Sequence, residues 1–271
     1  MTDGFLMKVA SVCVVLSAIL ASAVAAEPIP KIAIIIDDLG WQLAAAERAI
    51  ALPGPVSCAV LPQTPNGSVI AIKAHAKGKE VLLHLPMQAM SRNAQPEAGD
   101  LTLDMGRRSF AAAFAANLNA VPHAIGINSH RGSLLTRHPG HMLWLMEEIA
   151  AREGLFFVDS YTTHLSVALS IAKESGIAAR KRDVFLDADP APAAIAQEFE
   201  RLKLLARERG VAIAIGHPYP ATLSFLEKAL PQLEKEGFRL VGIRELVTGV
   251  PVEILTETNI AHERRADGEG Y

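Results

Sequence analysis

Short apolar segments alternate with segments of helical periodicity along almost the whole chain, and this alternation restricts the fold more than any other feature. Aliphatic, β-branched runs at 31–36, 56–61 and 80–85 each end in a polar loop that leads into a predicted helix. Such alternation is typical of βα units, in which helices connect parallel strands. Further strands are predicted at 124–128, at 155–158, within 179–186, at 211–215 and at 239–242. Seven or eight strands suit a closed or partly closed α/β barrel better than a small open sheet.

The first 26 residues have the composition of a secretory signal peptide. Lys8 precedes the apolar run 9–20, and small residues follow at 21–26. The run is shorter than the roughly 20 apolar residues that a membrane-spanning helix needs, so we expect cleavage and no stable membrane span afterwards. An uncleaved anchor is the alternative, and translation could begin at Met1 or Met7. The sequence therefore predicts an exported, periplasmic protein.

The predicted folded domain covers residues 27–250, and the polar stretch 251–271 is predicted to be a loosely ordered tail. Half of the residues are hydrophobic and the net charge is only −3, which argues against nucleic acid as a partner. No G-x-G-x-x-G follows the first strand, which argues against dinucleotide binding. Cys13 falls within the predicted signal peptide and leaves Cys58 alone, so neither an internal disulfide nor a cysteine metal cluster is expected.

Polar residues with catalytic and metal-binding chemistry come directly after the predicted strands. Because the carboxyl ends of parallel strands open on one face, we expect these side chains to share one site. Each residue alone has another explanation, as a turn residue, a helix cap or a buried structural histidine. Together, aspartates and histidines on one rim form a ligand set for a first-row metal. The residues are Asp37, Asp38, His84, His130, Asp159 and His217.

Several of these segments resemble the divergent polysaccharide deacetylase family, a branch of the NodB-like carbohydrate esterases. The resemblance spans about residues 31–247 and implies an irregular (β/α) barrel of about seven parallel strands. It also implies hydrolysis of acetyl groups on a glycan. The segments that carry it are 34–40 (IIIDDLG), 83–87 (LHLPM), 126–133 (GINSHRGS), 157–160 (FVDS) and 214–218 (AIGHP).

The resemblance implies a role for each member of the aspartate pair. Asp37 corresponds to the catalytic base and Asp38 to a metal ligand. The wider superfamily supplies two further ligands from a His-x-x-x-His motif, of which His84 is the first. Gln88 stands at the second histidine position. His130, at the neighbouring strand end, is expected to supply the missing ligand for a divalent metal, with zinc as the first candidate.

The histidine of the late Leu-x-x-His motif corresponds to His217, the general acid. Asp159 is assigned to the catalytic group, where it would orient His217 or Asp37 or stabilise the charged acid. Arg131 is a candidate for positioning substrate or carboxylates, and Trp41 for stacking on a sugar. We therefore expect a metal-dependent deacetylase that acts on an acetylated envelope polysaccharide or peptidoglycan-like glycan. The alternative, favoured by Gln88, is an inactive barrel that binds a glycan or an envelope protein; the sequence identifies no protein partner.

Overall fold

Nine strands and eight α-helices alternate along residues 28–91 and 97–249, which are the residues that the computed structural model describes. The predicted signal peptide, 1–26, and the predicted tail, 251–271, lie outside these residues. The strands are β1 Lys31–Leu39, β2 Ser57–Val60, β3 Val81–Met87, β4 Ala124–Arg131, β5 Phe156–Asp159, β6 Ala179–Lys181, β7 Val184–Phe185, β8 Val211–Gly216 and β9 Arg239–Leu240. The helices are α1 Leu43–Ala51, α2 Gly67–Ala76, α3 Arg107–Asn119, α4 Pro139–Ala150, α5 Ala168–Glu174, α6 Pro192–Arg209, α7 Pro220–Ala229 and α8 Ile243–Thr248.

The paired strands are all parallel and follow the order β6-β5-β4-β3-β2-β1-β8-β7, with β9 beside β1. The segment from β6 to β7 joins the two edges of this sheet. The Arg182 amide donates to the Asp159 carbonyl at 3.0 Å, and the next amide, of Asp183, donates to the Ile213 carbonyl at 2.9 Å. The sheet thus curls into a barrel, which confirms the predicted fold class. If β6 and β7 are taken as one interrupted strand, seven positions surround the barrel.

Side chains along each strand alternate between two apolar layers. On β1, Ile32, Ile34 and Ile36 pack outward beneath the helices, whereas Ala33 and Ile35 point into the barrel. The inner layer consists of Ala33, Ile35, Ala59, Leu82, Phe156, Val158, Ile213, Ile215, Val241, Ile243 and Leu246. Helix α8 contributes the last two of these residues and closes the amino-terminal end of the barrel. The polar side chains lie at the opposite end of the barrel, which is formed by the carboxyl ends of the strands.

Strand ends differ most from the sequence prediction. Strand β1 continues through Asp37 and Asp38, and strands β3 and β4 also extend two or three residues beyond their predicted ends. Asp37, Asp38, His84 and His130 therefore lie within strands rather than in loops, whereas His217 directly follows β8. Helix α8 was not predicted, and α7 ends at Ala229 instead of near residue 236. None of the helices in the described residues is long and apolar enough to cross a membrane.

Candidate active site

The two aspartates at the end of β1 reach the same site because the backbone changes conformation between them. Successive side chains on a regular strand point to opposite faces, so Asp37 alone would continue the inward direction of Ile35. Asp38 has a φ of +57°, and the register between β1 and β2 shifts at this point. This irregularity turns the second carboxylate toward the barrel mouth. Asp37 Oδ2 and Asp38 Oδ1 lie 3.6 Å and 3.1 Å from His84 Nε2.

Three ligand atoms, from the ends of β1, β3 and β4, form a nearly equilateral triangle. His84 Nε2 lies 3.1 Å from Asp38 Oδ1, His130 Nδ1 lies 2.9 Å from the same oxygen, and the two nitrogens are 3.1 Å apart. In a tetrahedral coordination shell with metal–ligand bonds of ~2.0 Å, the ligand atoms lie roughly 3.3 Å apart. The triangle is therefore close to the face of a tetrahedral coordination shell.

The chemistry of these atoms also fits a cation. Asp38 Oδ1 is buried and makes no hydrogen bond of regular geometry within the described residues, although two imidazole nitrogens lie beside it. The side chains of Asp38, His84 and His130 could thus hold a metal ion. Gln88 takes no part in this group, because its Oε1 accepts a hydrogen bond from the Leu103 amide at 2.9 Å.

Each histidine of the triangle is held by a hydrogen bond at its other ring nitrogen. His84 Nδ1 lies 2.9 Å from Asn128 Oδ1, and His130 Nε2 lies 3.1 Å from Glu97 Oε2. Asn128 also donates from Nδ2 to Asp37 Oδ1 at 2.7 Å. Hydrogen bonds of this kind fix the ring orientation and the tautomer of histidines that bind metals.

His217 projects from the end of β8 and is oriented by Asp187. The imidazole Nδ1 lies 2.8 Å from Asp187 Oδ1, and the His217 amide donates to Asp187 Oδ2 at 2.7 Å. The Thr222 hydroxyl donates to the same oxygen at 2.7 Å. The other imidazole nitrogen, Nε2, faces the metal-capable group and lies 3.7 Å from Asp38 Oδ2.

Burial and charge shift the pKa values of these groups in directions that suit hydrolysis. Burial raises the pKa of Asp37, which makes this carboxylate a stronger base. For His84, burial is outweighed by the charges of Asp37 and Asp38, which raise its pKa to about 9. For His217, burial is outweighed by the hydrogen bond to Asp187 and by the charge of Asp37, so its pKa is raised and the protonated form is favoured. The site therefore attracts positive charge, whether as a proton or as a metal ion.

Asp159 lies apart from the other candidate residues. It shares the outward direction of Phe157 on β5, and it accepts hydrogen bonds from the Tyr161 amide at 2.8 Å and from the Ser166 hydroxyl at 2.7 Å. Asp187 occupies the position beside His217 that the sequence reasoning had considered for Asp159. Burial raises the pKa of Asp159.

The other two sequence candidates are Arg131 and Trp41, and Arg131 lies beside the group, with its Nη1 3.4 Å from Glu97 Oε1. Arg131 reaches both carboxylate oxygens of Asp100, at 2.5 Å and 2.6 Å, and so fastens the loop that carries Glu97. The Trp41 side chain is 59% exposed on the loop after β1.

Three residues of the site were missed by the sequence reasoning: Asn128, Asp187 and Glu97. Asn128 could have been found from the alternation on β4, because it lies two residues before His130 and points the same way. Asp187 comes directly after the predicted strand within 179–186, the position that identified the other candidates. Glu97 lies in a loop and follows no strand, so no comparable signal marked it.

The fold and site together define a parallel α/β barrel. At the carboxyl ends of its strands lie a metal-capable group and a histidine, His217, that is hydrogen-bonded to Asp187. The sequence profile of the divergent polysaccharide deacetylases matches residues 34–247, and the chain belongs to this family. YibQ of Escherichia coli K12, itself uncharacterized, is 39% identical over 204 residues, which cover 75% of this chain. The match spans only 63% of the length of that relative.

Solved structures of low sequence identity share the fold of this chain. The uncharacterized protein ATU2773 from Agrobacterium tumefaciens C58 has a TM-score of 0.77 at 22% identity, covering 80% of this chain and 89% of that one. A mutant of BA3943 from Bacillus anthracis, described as a CE4 family pseudoenzyme with restored enzymatic activity, has a TM-score of 0.51 at 15% identity. That match covers 80% of this chain and 67% of the other. These likenesses establish the NodB-like barrel.

Proposed function

We propose that this protein is a metal-dependent deacetylase that hydrolyses acetyl groups on an envelope glycan. The triangle of ligand atoms from Asp38, His84 and His130 is the observation that carries the proposal. Asp37, a buried carboxylate, and His217, an imidazole held by a carboxylate, both lie beside this group and support the proposal. Family membership supports a glycan substrate. The predicted signal peptide supports export to the periplasm.

Asp37 and His217 each carry out one of the two proton transfers of amide hydrolysis. Asp37 accepts a proton from the attacking water, whose oxygen forms the new bond to the acetyl carbon. His217, protonated at Nε2, donates a proton to the amide nitrogen as the carbon–nitrogen bond breaks. The products are acetate and the free amine of the sugar. Asp187 holds His217 in the orientation that this donation requires.

A divalent cation bound by Asp38, His84 and His130 would supply Lewis acidity to the acetyl carbonyl and to water at neutral pH. Zinc is the first candidate, because catalytic zinc sites combine three nitrogen and oxygen ligands with an open position. Asn128 and Glu97 contact the ring nitrogens of His84 and His130 that are not needed for the metal. The barrel mouth is therefore left for the substrate. The absence of a histidine at Gln88 is compensated in this arrangement by His130.

The test combines metal content with deacetylation of acetylated chito-oligosaccharides. We expect about one divalent ion per purified wild-type chain and release of acetate. His84→Ala and His130→Ala should lose both. His164→Ala, which replaces an exposed histidine outside the site, should retain both.

Two results would count against the proposal. Wild-type protein that binds no zinc, cobalt, nickel or manganese would remove the metal-dependent mechanism. Glycan binding without acetate release, retained in Asp37→Ala, would identify the protein as the inactive glycan-binding barrel that the sequence left open.

A further inference from the structure

A single buried amide connects the metal-capable group to the predicted base. Asn128 is fully buried on β4, directly opposite His84 in the pairing of β3 with β4. Its Nδ2 donates to Asp37 Oδ1 at 2.7 Å, and its Oδ1 lies 2.9 Å from His84 Nδ1. The two ends of one amide therefore contact two groups with different chemical tasks.

The carboxylate of Asp37 determines which way this amide faces. An ionised carboxylate only accepts hydrogen bonds, so the amide NH2 must face Asp37. The amide oxygen then faces His84 Nδ1, which must carry a hydrogen. His84 Nε2 is left as the nitrogen for a metal, and it is the nitrogen that lies 3.1 Å from both Asp38 Oδ1 and His130 Nδ1.

We propose that Asn128 is a positioning residue that selects the metal-binding nitrogen of His84 and orients the Asp37 carboxylate at the same time. The inference rests on the proposed function and assigns one residue to two steps of it. Asparagine is suited to this place because it offers one acceptor and one donor. Aspartate of the same shape keeps the acceptor for His84 but sets a second carboxylate against Asp37. Alanine removes both interactions.

Asn128→Asp and Asn128→Ala should therefore separate metal binding from turnover. The full-length variants are compared with wild type for Co²⁺ affinity, by competition with a chelator, and for acetate release from chitopentaose. Asn128→Ala should bind Co²⁺ about 10- to 100-fold more weakly, as expected when a hydrogen bond behind a metal-binding histidine is lost. Asn128→Asp should bind Co²⁺ within about threefold of wild type, because it keeps the acceptor. Its kcat should nevertheless fall by roughly 100-fold or more, because the base loses its hydrogen bond to residue 128 and is displaced.

A matched control and a check of folding accompany these variants. Asn119→Asp adds the same charge at an exposed site at the end of α3 and should change neither measurement. Thermal unfolding shows whether each variant is folded. A crystal structure of Asn128→Asp should show the Asp37 carboxylate displaced while His84 stays in place.

The outcomes distinguish this inference from the proposed function. If wild type binds no Co²⁺, the proposed function and the inference fail together. If wild type binds Co²⁺ but releases no acetate, only the proposed reaction fails, and the variant affinities and the Asp37 position decide the inference. If wild type is active and Asn128→Asp loses Co²⁺ as fully as Asn128→Ala, or keeps wild-type kcat, the inference is wrong while the proposed function stands.

Discussion

His217 depends on one fully buried carboxylate for its orientation. Asp187 contacts the imidazole, the backbone amide of the same residue and the Thr222 hydroxyl, but it contacts none of the three candidate metal ligands. Asp187→Asn should therefore lower kcat by roughly 100-fold or more, as expected when the proposed general acid, His217, loses its orientation. Its zinc content should equal that of wild type. Acetate release and metal analysis on the same preparation check both statements.

Asp189 provides the control for this prediction. It lies two residues further along the chain, is exposed, and accepts a hydrogen bond from the Ala191 amide. Asp189→Asn makes the same chemical change outside the site and should keep activity and metal content. If Asp187→Asn lost metal before it lost activity, Asp187 would support the fold of the site rather than orient the acid.

At the scale of strands, alternation explains which site residues the sequence could predict. Asp37, His84, His130 and His217 come at the ends of strands and point inward, so an apolar run followed by a polar residue was enough to find them. Asp159 was selected by the same criterion, a polar residue that follows an apolar run, although its position on β5 points outward. The sequence alone does not show which strand positions face inward. Inward-pointing and outward-pointing residues can be told apart only when the register of each strand is known, and pairing between distant segments determines that register.

Asp38 represents the opposite case. Its position on β1 would point away from Asp37 on a regular strand, and only the left-handed backbone brings it into the site. Its position directly after the first strand already placed it among the candidates, and resemblance to the family gave it the role of a ligand, although regular strand periodicity would have turned it away from Asp37. Irregular backbone of this kind is concentrated at functional sites, which is where pattern-based prediction fails.

Helix α8 closes the amino-terminal end of the barrel against a buried carboxylate. Glu80 accepts hydrogen bonds from the Ser57 hydroxyl at 2.8 Å and from the Arg244 amide at 3.3 Å. A Cβ at Gly242 would lie 2.3 Å from Glu80 Oε1 and 2.6 Å from Glu80 Cδ. Gly242→Ala should therefore lower the free energy of unfolding by about 1–3 kcal/mol through overpacking, measured by denaturant unfolding.

A second glycine tests whether this loss comes from the contact. At Gly140 on α4 an added Cβ meets no atom within 4 Å among the described residues, so Gly140→Ala should be neutral or should stabilise by about 0.5–1 kcal/mol. Equal losses in the two variants would contradict the packing explanation.

The ionisation of Glu80, which packs against α8, should make the free energy of unfolding depend on pH. Burial raises the pKa of Glu80 above its ordinary value of 4.5, so between these two values the folded chain binds more protons than the unfolded chain. In that window the group lowers stability as the pH rises. The free energy of unfolding of Glu80→Gln, minus that of wild type, should consequently increase from pH 4 to pH 7. A difference that stayed constant with pH would show that Glu80 titrates alike in both states.

At the scale of the whole molecule, the candidate site and the fold depend on the same pairing between strands that are distant in sequence. The sequence predicted seven or eight parallel strands where the described part of the chain has nine, and it did not show that β6 and β7 bond to opposite edges of the sheet. The direct pairing of β8 with β1 brings His217 beside Asp38, and the curl of the sheet brings His84 and His130, from β3 and β4, to the same mouth of the barrel. Because pairing between distant segments assembles the ligand triangle, a metal that binds it should bind the folded chain far better than the unfolded one.

A bound metal should therefore stabilise the whole domain. Free zinc at 100 times its Kd should raise the free energy of unfolding by about 2.7 kcal/mol. For a domain of this size, that gain corresponds to an increase in Tm of roughly 5–10 °C. His84→Ala should show no such increase, and His164→Ala should show all of it. Magnesium should leave Tm unchanged even in wild type, because it prefers an octahedral shell of oxygen ligands and two of the three atoms here are imidazole nitrogens. An equal increase with magnesium, or one retained in His84→Ala, would mean that the stabilising ion binds outside the triangle.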